Sequence, residues 1–336
     1  MIRYAEFCTG IGGFRLGIEH SIYNSKCVYK NEIDVKCEDT YYRNFGDFFD
    51  SKDIFDINIS DLPQLDVLCS GFPCQPFSLA GKQRGLEDAR GTIILKLLEI
   101  IQYIKPKVVF LENVANLRSH NNGYTLKFIK ESLLLSGYTV FDKIIDSLNF
   151  GIPQSRPRLY IVAFNNQKTN VTNFKFPDKH GTPKVLRDIL ATGDNSIPIS
   201  KKWNEYIDYY TGIKKANNLS FNIPKTRQQL ERVADNCDIN DCILQIRSSG
   251  IRAYSLNSHF PTFAVSNSGG GAMIPVLTKE RRHLSVLEIK RIMGFPDTFS
   301  FGVSRTDSIK QLANAVCPPV ICEIYSEIVK YANLND

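Results

Sequence analysis

The sequence predicts an α/β fold: an open, mostly parallel sheet covered on both faces by helices, joined to a smaller and less regular module. Three observations carry that expectation. Up to about Phe164, short apolar runs alternate with stretches of helical spacing, the signature of strand–helix units. Residues 165–283 then turn rich in Asn, Ser, Thr, Pro and Gly and hold few long periodic segments. Beyond them, helical periodicity returns over Val286–Met293 and Ile309–Tyr331. The division is therefore 1–164 plus 284–336 for the body and 165–283 for the module.

Taken in order, Ile2–Phe7, Cys27–Asn31, Val67–Ser70, Val108–Glu112, Thr139–Ile145 and Leu159–Phe164 read as strands. Phe14–His20, Gly91–Ile104 and Tyr124–Ser136 carry apolar residues at helical spacing. The 336 residues suit two domains at roughly 100–200 residues each. A hydrophobic share of 43% with 23% charged residues excludes a disordered or fibrous chain. No apolar run approaches the ~18 residues of a membrane span, and the N-terminus lacks a secretory signal pattern. No repeat or low-complexity tract is present.

The nine cysteines are scattered, with no C-x-x-C pair, so neither a disulfide framework nor a metal site is expected. Reduced thiols in the cytoplasm fit best, and the pairs Cys237/Cys242 and Cys317/Cys322 read as small buried hydrophobes. Charge sorts along the module boundary. Residues 165–283 hold 17 Lys and Arg against 10 Asp and Glu, whereas the rest holds 24 against 25. A basic, loop-rich module beside a neutral body is what a polyanion would need; solvated lysines are the plainer reading of the same asymmetry.

Gly10-Ile11-Gly12-Gly13 lies between the first strand and a helix, where glycine permits a tight turn and the close approach of a ligand. Glu32 ends the next strand about 20 residues on, placed to accept hydrogen bonds from ribose hydroxyls. A dinucleotide, an adenosylmethionine or a plain turn all satisfy this pattern. Gly71-Phe72-Pro73-Cys74-Gln75-Pro76-Phe77-Ser78 follows the third strand, beyond the carboxyl ends where such sheets bind ligands. Cys74 is placed there as a nucleophile, or is one more buried thiol. Glu112 closes the fourth strand, where burial would raise its pKa and let it donate a proton. Arg156 and Arg158 precede the last strand of the body, as members of the same set or as surface charge.

With these residues in place, the chain resembles the bacterial-type DNA cytosine-5 methyltransferases over nearly its whole length. The carriers are F-C-T-G-I-G-G-F at 7–14, N-E-I-D at 31–34, D-I at 56–57, G-F-P-C-Q-P-F-S at 71–78 and E-N-V at 112–114. They continue with Q-S-R-P-R at 154–158, the run from Arg281 to Asp297, and Q-L-A-N-A-V at 311–316. The resemblance implies a Rossmann-like methyltransferase fold dependent on S-adenosylmethionine, with an irregular target-recognition domain. It implies attack of Cys74 on cytosine C6, Glu112 at N3 and the exocyclic amine, Arg158 at O2, and Arg156 bracing the acid and thiol. The cofactor would rest on Phe7, Cys8, Thr9, Gly10, Ile11, Gly12 and Gly13, with Glu32 at the ribose and Asp56 at the adenine amine. Ile33, Ile57, Gly71, Pro73, Asn314 and Ala315 complete that pocket. Cys8 and Ile33 stand where aromatics are usual, which implies aliphatic packing on adenine.

By the same resemblance, Gln75, Ser78, Lys82 and Arg90 sit on a closing loop, with Lys82 and Arg90 meeting phosphates. Candidate contacts in the module are Arg227, Arg247, Arg252 and Asn257, with Thr262 and Gly269-Gly270-Gly271 as framework. The target base would be flipped out of the duplex. The implied partners are duplex DNA and, functionally, a cognate restriction endonuclease; a cytoplasmic monomer without a membrane association is expected. RNA cytosine methylation by the same fold and a catalytically silent DNA-binding relative are the alternatives. A nicotinamide dehydrogenase would use the glycine turn but leave Cys74 without a role.

Overall fold

The computed structural model describes residues 1–73, 93–178, 181–191, 197–232, 237–247, 250–264 and 274–334. Its first sheet holds β1 (Ile2–Phe7), β2 (Ser25–Asn31), β3 (Val67–Ser70), β4 (Val108–Val114), β5 (Tyr138–Asp146) and β6 (Pro157–Asn165), in the order β2-β1-β3-β4-β6-β5. All six expected strands are present. Only β6 runs against its neighbours.

The central strands β3, β4 and β6 read most clearly because both faces of the sheet are covered there, so their successive side chains are nearly all apolar. Tyr4, Cys69, Phe110 and Val162 point to one face, where α1 (Gly13–Glu19) and α8 (Pro318–Tyr331) bring Phe14, Ile18, Ile321 and Ile324. Ala5, Leu68, Val109 and Ile161 point to the other, against Leu97 and Ile101 of α3 (Ile93–Ile104) and Ile129 and Leu133 of α4 (Tyr124–Leu135). The period of two thus splits the apolar residues between two cores. Contact between α1 and α8 is close enough that a Cβ on Gly17 would lie 2.6 Å from the Pro318 oxygen.

The module expected to be irregular holds a second six-stranded sheet. It comprises β7 (Ile197–Pro198), β8 (Leu230–Arg232), β9 (Cys242–Arg247), β10 (Gly250–Ser255), β11 (Val276–Leu277) and β12 (Arg282–His283), ordered β7-β12-β11-β9-β10-β8. The helix α5 (Lys201–Tyr210) covers it, with Trp203, Tyr206 and Ile207 packed on Leu244 and Ile251. The chain does not leave the body at residue 165: Val171 and Phe174 pack into the core of the first sheet. A further core joins the two halves, uniting Tyr41 of α2 (Glu38–Phe45) with Phe260 and Phe263 and with Ile289 and Leu312 of α6 (Val286–Met293) and α7 (Arg305–Asn314).

The single helical stretch read over Ile309–Tyr331 is two helices. Pro318 and Pro319 cannot continue a helix from before them but suit a helix start, and α8 begins there. By composition Arg305–Tyr331 contains an 18-residue window apolar enough to cross a bilayer, correcting the reading that no such run exists. Here that apolarity is spent inside the protein, with Val320, Ile321, Ile324 and Ile328 in the body's core.

Candidate active site

β1 ends at Phe7, and the chain turns through Cys8, Gly10 and Gly12 at φ of 54°, 55° and 80°. At Gly12 this left-handed conformation favours glycine, and a Cβ would also meet Phe45 Cε2 at 2.3 Å. The turn is tied down by the Thr9 N–H donating to the Asn31 oxygen and the Gly12 N–H to the Thr9 oxygen. Glu32, at the end of β2, accepts from the Gly10 N–H at 2.8 Å and the Asp34 N–H at 3.0 Å. Each carboxylate oxygen keeps further acceptor capacity.

Beside this carboxylate lies a cavity of about 300 Å³, lined by Cys8, Thr9, Gly10, Ile11, Gly13, Glu32, Gly71, Asn314 and Ala315 among others. That volume is on the scale of a small-molecule site. The Cys8 thiol in its wall is pushed up to about 12 by burial, then by the Glu32 charge. Phe7 is wholly buried in the core, where it meets Tyr29 at 5.4 Å between ring centroids, and Ile57 is core as well. Ile33, Asp56 and Pro73 are exposed. None of these five lines the cavity, nor does Gly12.

Residues to which the sequence reading gave no site role, some of them inside its motifs, complete the wall: Phe14, Asp34, Lys36, Cys37, Asp307, Lys310, Gln311 and Val316. A signal for part of them was present, since Asp307, Lys310, Gln311 and Asn314 are spaced i, i+3, i+4, i+7 on one helix face. Gln311 fastens that helix across the cavity by donating to the Lys36 oxygen at 2.8 Å and accepting from Thr40 Oγ1 at 2.9 Å.

Glu112 and Arg158 meet because of strand register. Glu112 lies opposite Tyr160 and Val114 opposite Arg158 on antiparallel strands, so the acid and the arginine are diagonal neighbours on one face. Arg158 Nε stands 3.1 Å from Glu112 Oε1. Burial raises the Glu112 carboxyl above its ordinary value, against the opposing charges of Arg158 and Arg156. Gly71 leaves the acid room: a Cβ there would stand 3.7 Å from Glu112 Oε2 and 3.2 Å from Val316 Cγ1. Next to Glu112, Asn113 Nδ2 donates to the Phe72 oxygen at 2.8 Å, holding the segment that leads toward position 74.

Arg156 is buried, and burial followed by the Arg158 charge pushes it down to about 10. Its guanidinium donates to the carbonyls of Phe263 at 3.2 Å and of Ala313 and Ala315 at 2.9 Å. Thr262 Oγ1 donates to the Ser155 oxygen at 3.0 Å, so it docks the 260–263 segment on the arginine loop. Of the module's arginines, Arg252 pairs with Glu231 at 2.7 Å and Arg227 donates to the Tyr206 hydroxyl at 3.4 Å. Asn257 accepts from Arg187 Nε at 3.0 Å. Cys74, Gln75, Ser78, Lys82 and Arg90 lie outside the described residues, as do Gly269-Gly270-Gly271 and the side chain of Arg247.

The run from Arg281 to Asp297 packs in the core shared by the two halves, through Leu284, Ile289, Ile292 and Phe295. Arg282 grips Glu288 through two bonds, Nη1 to Oε2 at 2.8 Å and Nη2 to Oε1 at 2.7 Å, both residues being buried. Glu288 also accepts from the Ala191 N–H at 3.1 Å and caps its own helix through Ser285.

The family described as C-5 cytosine-specific DNA methylase matches residues 2–330. The chain is 34% identical over 320 residues to the Type II methyltransferase M.HhaI of Haemophilus parahaemolyticus, covering 94% of this chain and 90% of that protein. It is 34% identical over 335 residues to M.Bsp6I of a Bacillus strain, covering 98% and 99%. Among solved structures, the Entamoeba histolytica methyltransferase EhMeth superposes with a TM-score of 0.69 at 20% identity, covering 100% of this chain and 99% of its own. A putative DNA modification methyltransferase from an Escherichia coli prophage does so at 0.70 and 18%, covering 99% and 100%. These two likenesses bear on the fold.

Proposed function

We propose, from the premise that this chain belongs to the C-5 cytosine-specific DNA methylase family, that it methylates one cytosine in a specific duplex sequence using S-adenosylmethionine, base flipping and a transient bond to Cys74. The observation carrying this reading is the buried Glu112 held by Arg158 at the ligand end of the sheet, beside the cavity and next to the segment entering Cys74. The cavity suits the cofactor: a carboxylate fixed by two backbone N–H groups faces a wall built from Ile11, Phe14 and Val316. Glu32 would hold the ribose, and Cys8 to Gly10 with Gly71, Asn314 and Ala315 the remainder. When bound, S-adenosylmethionine supplies a methyl group on a sulfonium, an electrophile that a carbon nucleophile takes directly.

Cytosine C5 is a weak nucleophile, and the chain's residues correct that. The Cys74 thiolate adds to C6, forming the S–C6 bond, while N3 gains a proton and the ring becomes an enamine with electron density at C5. Glu112 is the donor at N3: burial favours its protonated form, and Arg158 limits that shift so that the proton is still surrendered. After methylation a water takes the C5 proton as general base, the S–C6 bond breaks to return the thiolate, and N3 gives its proton back to Glu112. Cys74 reaches a ring face only when the base leaves the stack, at about a few kcal/mol. The module of residues 165–283 would select the sequence. The enzyme acts as a cytoplasmic monomer that guards DNA against a cognate restriction endonuclease.

The test is incubation with tritiated methyl donor and a duplex carrying 5-fluorocytosine at the mapped site, where no C5 proton can leave. A methylated covalent complex that survives denaturation is expected, and Cys74→Ala should abolish it. An adduct persisting in that variant overturns the nucleophile assignment, and label entering RNA alone overturns the substrate.

A further inference from the structure

We infer that Cys237 and Cys242 form an oxidisable dithiol site that closes to an intramolecular disulfide with a peroxide and is captured as a pair by trivalent arsenicals. The sequence reads these residues as separate buried hydrophobes. The structure places their sulfurs 2.8 Å apart, much nearer than unbonded sulfur atoms ordinarily pack. Both thiols converge on one acceptor, the Asp238 oxygen, at 3.3 Å from Cys237 and 3.2 Å from Cys242.

The chain between them explains the convergence. Asp238 Oδ1 accepts from the Asn240 N–H at 3.0 Å and starts the single 3₁₀ turn Ile239–Asp241, which folds position 242 back over 237. Thr278 then anchors the end of the turn, donating from Oγ1 to the Cys242 oxygen at 2.7 Å. A disulfide needs its sulfurs about 2.05 Å apart, so closure calls for a movement of under an ångström at a turn already formed. Access is one-sided: Cys237 is half-buried and Cys242 buried. Elsewhere, burial raises the thiols of Cys8, Cys27, Cys37, Cys69, Cys317 and Cys322, which disfavours their reactive thiolates.

The chemistry is balanced. Cys237 Sγ attacks the peroxide, an S–O bond forms as O–O breaks, and one water leaves. Cys242 Sγ then displaces the oxygen as a second water, so two thiols are oxidised to one disulfide and one peroxide is reduced to two waters. The site lies at the start of β9, apart from the methyl-transfer residues, and its test needs no methylation readout.

The experiment treats the full-length protein with stoichiometric hydrogen peroxide, alkylates under denaturing conditions and maps the peptides by mass. The expected result is loss of both alkylatable thiols at 237 and 242 in a single species two hydrogens lighter, restored by dithiothreitol. Phenylarsine oxide should be retained by the untreated protein and lost from both Cys237→Ser and Cys242→Ser. Recovery of both cysteines alkylated, or linked to other chains, overturns the proposal. The unsubstituted protein alone decides this arm, whatever the serine variants do to folding.

Discussion

Replacing Glu6 with Gln is expected to flatten part of the protein's pH–stability profile. Glu6 is wholly buried on β1 beneath the glycine turn, where Oε1 accepts from the Arg15 N–H at 3.3 Å. Burial pushes its carboxyl from the ordinary 4.5 up to about 7, against the opposing pull of Arg15. Because the folded value is raised, the stabilising preference for the protonated form is fully present below 4.5. It fades as pH rises and is gone above about 7. At ~1.36 kcal/mol per pH unit, the whole effect is about 3 kcal/mol, most of which falls between pH 5 and 8. Gln keeps the shape and the acceptor but has no proton to lose. With an unfolding entropy of ~2.1 cal/mol/K per residue, the melting temperature of the variant relative to the parent should rise by about 3–4 °C between those pH values. Melting curves by circular dichroism across the range measure it. Parallel profiles for the two proteins would refute the argument that this carboxyl is held protonated by its burial.

Three further substitutions probe the site and its frame. Glu112→Gln keeps the bulk beside Arg158 but removes the transferable proton, and single-turnover methyl transfer should fall about 10²- to 10⁴-fold with cofactor affinity unchanged. In the parent, transfer should decline as pH climbs past the raised Glu112 value, a limb that the variant lacks. Gly13→Ala puts a Cβ 2.7 Å from Val316 Cγ2, driving the turn against the far cavity wall; at about 1–3 kcal/mol of strain, equilibrium dialysis should show cofactor binding weakened by about 5- to 100-fold. Arg282→Met leaves the buried Glu288 carboxylate without its partner and should cost about 3–5 kcal/mol in urea unfolding.

What the residues declared in advance follows from how each element is stabilised. The central strands of the first sheet were legible because two cores clothe it, leaving nearly unbroken apolar runs at β3, β4 and β6. The helix Glu38–Phe45 was not, since only Thr40 and Tyr41 of it are buried. The second sheet was invisible for a different reason. Three of its strands have two residues each, too short for any periodicity, and pair through contacts distant in sequence, as Val276 with Leu244 and His283 with Ile197. In the site, the glycine turn and Glu32 were legible because local backbone geometry demands them. Lys36, Lys310 and Gln311 were not, because what brings them to the cavity is the docking of α7 across α2.

Arg156 shows where motif reading and geometry part in kind. The spacing Arg156-Pro157-Arg158 suggests two cations serving one acid, yet alternation along a strand sends neighbouring side chains apart and next-nearest ones together. Pro157 begins β6, so only Arg158 enters the strand register that reaches Glu112, while Arg156 stands before it. From there its guanidinium spans Phe263, which lies between β10 and β11 of the second sheet, and Ala313 and Ala315, the second of which walls the cavity. A buried charge held by three carbonyls is a fixed strut. The Glu112 site, the cavity wall and the strap from the second-sheet module are therefore connected through one side chain. A module exchanged between relatives must preserve the 260–263 strap if methyl transfer is to survive the exchange.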